Sequence, residues 1–151
     1  MTYFLISIII FIDQLSKYAA IKYLKDAKPY IIINNFFELT YVENRGAAFG
    51  ILKHKRVLFI VITFAVILFL TFYLFGNHKS LNRLTILAVS LLIGGAIGNL
   101  IDRIRFGYVV DFLSFRFFSK YDFPVFNFSD ICIVISTGII VLLVLFDKYD
   151  A

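Results

Sequence analysis

Three aspartates stand at or near the ends of apolar runs in the second half of this chain: Asp102, Asp111 and Asp130. They fall in a stretch from Gly94 to Asp130 that reads GGAIGNLIDRIRFGYVVDF, then a loop, then FPVFNFSD. A carboxylate beside lipid is expensive and usually faces a functional interior. Two carboxylates held close share one proton, because like charges about 3 Å apart cannot both ionise. The ionised one takes a proton from water while the protonated one donates to a carbonyl oxygen, and together they hydrolyse a peptide bond. That chemistry needs neither a cofactor nor a nucleophilic side chain, and the sequence offers no sign of either. GxSxG, HExxH and paired cysteines are all absent from it. Cys132 is the sole cysteine and lies inside an apolar run, as a small buried hydrophobe would. His54 and His78 sit in polar connections. Aspartates at a membrane face also suit a proton relay in a small proton-coupled transporter, or helix packing in a four-span assembly factor.

The elements that must position these groups follow from composition. The chain has 151 residues, 61% of them apolar, and a mean hydropathy of +0.90. Soluble domains hold roughly 45–50% apolar residues, so the expectation is a single integral-membrane domain over 1–151. The net charge of +5 lies scattered between apolar runs. That pattern anchors helix ends at lipid headgroups and speaks against a nucleic-acid partner. Four spans are expected, at about 3–24, 57–75, 84–101 and 126–146, each long enough to cross a bilayer. Asp13 and Lys17 share a face of the first span, as an internal ion pair or as a face turned toward the site. Gly94 and Gly98 bare one face of the third span for a close neighbour.

The connection 25–56 has mixed character. Pro29 blocks continuation of the first helix. Tyr30 to Ile33 is β-branched, and Phe37 to Tyr41 alternates apolar with polar, which predicts a small sheet. Asn44-Arg45-Gly46 marks a turn, and Ala47 to Leu52 predicts a short helix lying at the membrane interface. The expected fold class is therefore an all-α membrane protein of four transmembrane helices, with a small sheet and a short interfacial helix. Four spans put both termini on one side, so 25–56 and 102–125 share the other. Asp102, Asp111 and Asp130 converge there. The charge bias of the connections, taken literally, would turn that side toward the cytoplasm.

The motifs resemble those of the lipoprotein signal peptidases (signal peptidase II), bacterial membrane aspartic proteases. The matching pieces are Asp13-Gln14-Leu15-Ser16-Lys17, Asn44-Arg45-Gly46-Ala47-Ala48-Phe49-Gly50, Gly94 through Arg103, Val109-Val110-Asp111-Phe112 and Phe126-Asn127-Phe128-Ser129-Asp130. They occur in that family's order along essentially the whole chain. The resemblance implies that Asp111 and Asp130 are the catalytic pair and that no cofactor is used. It implies that Asn44, Arg103 and Asn127 hold substrate and orient the pair, with Gly46 in the turn beside them. Asn99 and Asp102 support the site beside Arg103, and Asp13 and Lys17 form a buried support. The implied substrate is a prolipoprotein already carrying diacylglycerol on its cysteine, reached through membrane lipid by an enzyme that works as a monomer. The implied location is the bacterial cell membrane, with the sheet and active site on the extracytoplasmic side, against the charge bias. A lid role for the segment after Gly46 is a further expectation.

Overall fold

The computed structural model describes residues 2–46, 55–117, 121–148 and 150. The expected interfacial helix at Ala47–Leu52, and its lid role, lie outside these residues. Each apolar run becomes a helix: α1 (Thr2–Leu24), α2 (Arg56–Gly76), α3 (Arg83–Arg105) and α4 (Phe128–Leu145). All four are long and apolar enough to cross a membrane. α3 is the central element and touches each of the other three helices. The glycines of α3 permit this. A Cβ on Gly94 would press on Ile9 of α1, and one on Gly95 would meet the Ser129 carbonyl of α4 at 2.7 Å. A Cβ on Gly98 would lie 2.5 Å from the Asp13 carboxylate and closer still to the Ser129 hydroxyl.

α3 runs further than the expected span, so Asp102 stands on the helix and not in the connection after it. Its charge is met from α1 by Lys17, so the helix need not stop before it. Termination comes at Gly107, whose φ of +83° suits glycine. The amides of Phe106 and Gly107 close on the carbonyls of Asp102 and Arg103. α4 starts later than the expected span. Asn127 caps it, and Asp130 lies in its first turn, shallower than a helix beginning at residue 126 would place it.

The connections meet in an antiparallel sheet of order β1-β2-β3-β4, formed by β1 (Tyr30–Ile33), β2 (Phe37–Asn44), β3 (Val109–Phe117) and β4 (Tyr121–Asp122). The first two match the expected strands, and β3 puts Asp111 on a strand where the sequence pattern predicts only a connection. Leu39 pairs with Leu113 and Val42 with Asp111, so Thr40 and Tyr41 together oppose Phe112. This β-bulge bends β2 just before it reaches the aspartate. Two apolar clusters hold the assembly. Leu74, Leu81, Val89 and Ile93 pack at the end of the bundle near the termini. Ala20, Val110 and Phe112 seat the sheet on the last turns of α1.

Candidate active site

β3, α4, α3 and β2 each bring one part of the site. Asp111 is 1% exposed and accepts at both carboxylate oxygens, from Asn127 Nδ2 at 2.6 Å and from Asn44 Nδ2 at 2.9 Å. The second contact follows from strand register. Asn44 pairs with Val109, and Asp111, two residues on, shares that face as its diagonal neighbour. The Asn44 amide is oriented by the N–H of Gly46, which donates to its Oδ1 at 3.1 Å.

Asp130 also accepts at both oxygens, from Asn99 Nδ2 at 2.8 Å and from the Asn127 backbone N–H at 3.2 Å. Asn127 touches both aspartates. Its Oδ1 accepts the Asp130 N–H at 3.0 Å, which turns its Nδ2 toward Asp111. One capping residue thus spaces the strand carboxylate from the helix carboxylate. Burial, and next the charge of Asp130, push Asp111 up to about 7 from an ordinary 3.8. Opposing this, the donors Asn44 and Asn127 favour its ionised form.

Beneath the pair lies a buried ionic cluster. Lys17 Nζ reaches Asp13 at 2.9 Å, Asp102 at 3.0 Å and Asn99 Oδ1 at 2.8 Å. Asp102 takes different partners from Asp111 and Asp130. It accepts from the Val110 N–H at 3.1 Å and from Gln14 Nε2 at 3.1 Å, tying α3 to β3 and α1. Asp13 accepts the Ser129 N–H at 3.0 Å and so holds the first turn of α4. Both readings of the Asp13–Lys17 face are therefore combined in one arrangement: an ion pair that also abuts the site.

The site opens into a cleft of about 550 Å³ lined by Asn44, Arg45, Gly46, Asn99, Arg103, Asp111 and Asp130. Val109, the Phe123–Phe126 run and Ile133 and Val134 of α4 supply its apolar walls. The Arg103 guanidinium stands 5.1 Å over the ring of Phe59 at the cleft's edge. Two contributors were not foreseen from sequence as parts of the site. Gln14 bridges Asp13, Asp102 and the Gly98 carbonyl. Arg56 donates to the carbonyls of Arg103 and Ile104, each at 2.8 Å, and secures the end of α3. A basic residue opening a span gives no sequence sign of capping a different helix.

Residues 5–146 match the family model of Signal peptidase (SPase) II. The chain belongs to the signal peptidase II family. It is 46% identical over 141 residues to a protein of Clostridium tetani named lipoprotein signal peptidase, covering 93% of this chain and 88% of that one. A relative of the same name from Halothermothrix orenii is 48% identical over 142 residues, covering 94% and 93%. Two solved structures, each described as a bacterial membrane enzyme, are 35% identical to it. One superposes with a TM-score of 0.88 over 97% of this chain and 88% of that one. The other reaches 0.84 over 95% and 92%. As a signal peptidase II family member, the chain is a multi-pass membrane aspartic peptidase.

Proposed function

We propose that Asp111 and Asp130 together hydrolyse one peptide bond of a membrane-embedded prolipoprotein, releasing its signal peptide immediately before a diacylglyceryl-modified cysteine. The observation that supports this reading most is Asn127, whose single side chain contacts both aspartates. One carboxylate is ionised and removes a proton from water as its oxygen attacks the scissile carbonyl carbon. The other is protonated and donates to the carbonyl oxygen, giving a neutral tetrahedral diol. Collapse returns one proton to the carboxylate pair and passes another to the leaving amine, and the C–N bond breaks. The raised position of Asp111 favours a carboxyl that still holds a proton near neutral pH. Site residues Asn44, Asn99 and Asn127 hold the two acids, while Arg103 and Gly46 face the substrate chain in the cleft. Support comes from Asp13, Lys17 and Asp102 beneath.

The apolar walls of the cleft suit a lipidated substrate arriving sideways through the bilayer, and Val134 is 70% exposed on the helix that forms one wall. A single bundle supplies every group named here, so the enzyme acts as a monomer in the cell membrane, with the cleft on the extracytoplasmic side. Family membership weighs against the transporter reading. The deciding experiment incubates purified protein with a diacylated lipobox peptide. Cleavage before the modified cysteine is expected, with loss of cleavage in Asp111→Asn and in Asp130→Asn while both variants still insert. Normal cleavage by either variant overturns the assignment. Orientation is tested separately with single cysteines placed at Lys28 and Lys79 in a Cys132→Ala background. A membrane-impermeant maleimide added to intact cells should label position 28 and spare position 79.

A further inference from the structure

We infer that Lys17 is a positioning residue for the reaction: its ammonium fixes the orientation of the Asn99 amide, and through it the face that Asp130 presents to substrate. This rests on the reading that Asp111 and Asp130 are the reacting pair.

An asparagine side chain can turn over and exchange its donor for its acceptor, so a network of amides has no direction until a group with one role imposes it. The N–H of Gly46 does so for Asn44, and the N–H of Asp130 does so for Asn127. Neither backbone group touches Asn99. Its Oδ1 accepts from Lys17 Nζ at 2.8 Å and from Asn127 Nδ2 at 3.2 Å. Of those two donors, the ammonium is the nearer and has no acceptor to offer, whereas Asn127 keeps its role only through its bond from the Asp130 N–H. With Oδ1 held toward Lys17, Asn99 Nδ2 must face Asp130 Oδ1, which it reaches at 2.8 Å. Were Asn99 inverted, its carbonyl oxygen would oppose a carboxylate oxygen, and its amide would oppose a cation.

Lys17 is placed to do this and nothing looser. It is 2% exposed, and its three N–H bonds have three acceptors: Asp13, Asp102 and Asn99. The two carboxylates already satisfy its charge, so the third contact, to a neutral amide, is not needed to keep a lysine buried. Its consequence is directional. The chain Lys17 to Asn99 to Asp130 runs from α1 through α3 to α4, and its last bond lands on a reacting oxygen. Lys17 itself touches neither aspartate of the pair.

The test is a double-mutant cycle with the diacylated lipobox peptide, reading kcat and KM separately. Lys17→Met and Asn99→Leu are made singly and together. Lys17→Met alone should lower kcat about 10- to 100-fold, the scale on which groups that orient a reacting residue act, with KM within about twofold. In the Asn99→Leu background the same change should cost little further, because the amide it orients is gone. Equal fold-losses in both backgrounds would overturn the inference, as would a loss confined to KM. If Lys17→Met does not accumulate in membranes, the cycle is run with Lys17→Gln in an Asp13→Asn background, where only the Asp102 carboxylate loses its cation. Asp130→Asn is assayed alongside. Full activity there would sink the catalytic assignment itself, whereas its loss together with an additive cycle would sink only the role of Lys17.

Discussion

Helices α2 and α3 are both long enough to cross a bilayer, and their hydropathies rank them the wrong way round for importance. The richest 18-residue window of α2 has a mean hydropathy of 2.9 and is only 11% buried. That of α3 reaches just 2.1 and is 61% buried. In a soluble protein the more apolar helix would be the inner one. Here lipid is the outer solvent, so apolar side chains face outward, and small or polar groups hold helices together inside. Phe69 and Phe72 of α2 lie open to the bilayer, whereas Asn99 and Asp102 of α3 are nearly sealed. Of these two spans, the less greasy one lies against the chemistry.

That contrast breaks most sharply at the carboxylates gathered on α3's inner side. Asp111→Asn and Asp130→Asn should each cost about 10²- to 10⁴-fold in cleavage, read as disappearance of the released signal peptide on a gel. Gly98→Ala tests the packing that makes α3 central. The added carbon meets Asp13 and Ser129, and such overpacking costs about 1–3 kcal/mol, visible as a lower melting temperature in detergent. Gly138→Ala on α4 is its control, since nothing lies within 4 Å of the new carbon. It should be neutral or stabilise by up to about 1 kcal/mol.

The next test uses pH. Asp111 is held at about 7, above its ordinary 3.8, by burial first and Asp130 second. A raised carboxyl favours the protonated native state, so its contribution is full at low pH and is lost as pH rises through about 7. kcat/KM should therefore fall on the alkaline side with an apparent value near 7 that belongs to the pair. A profile flat through neutrality would refute this. The smallest effect is expected on α2. Phe72→Leu, at a side chain 75% exposed, should change stability by no more than about 0.5 kcal/mol and leave turnover intact.

The four spans were legible because each is a long apolar run, and a run of that kind has one stable fate in a bilayer. β1 and β2 were legible from β-branching and alternation between neighbours in sequence. β3 was not, since Val109–Phe117 becomes a strand by pairing with β2, more than sixty residues earlier, and local pattern says nothing about a partner so distant. The end of α3 was misplaced for a related reason. Asp102 and Arg103 look like the edge of a span until Lys17, from another helix, is seen to meet the aspartate. Within the site, the motif residues were readable as types, but the bonds that set their direction were not. Gln14 and Arg56 act across helices that sequence order does not join.

The extra residue in β2 has a consequence for how this enzyme tolerates change. Thr40 and Tyr41 occupy the place of one residue opposite Phe112, so the strand counts one more than its partner before arriving at Asn44. Removing either would leave one residue opposite Phe112 and the same pairing beyond it, but would take away the bend that brings the Asn44 amide to Asp111. The curvature of β2 is thus a setting of the active site, fixed by a count of residues rather than by the identity of any side chain there.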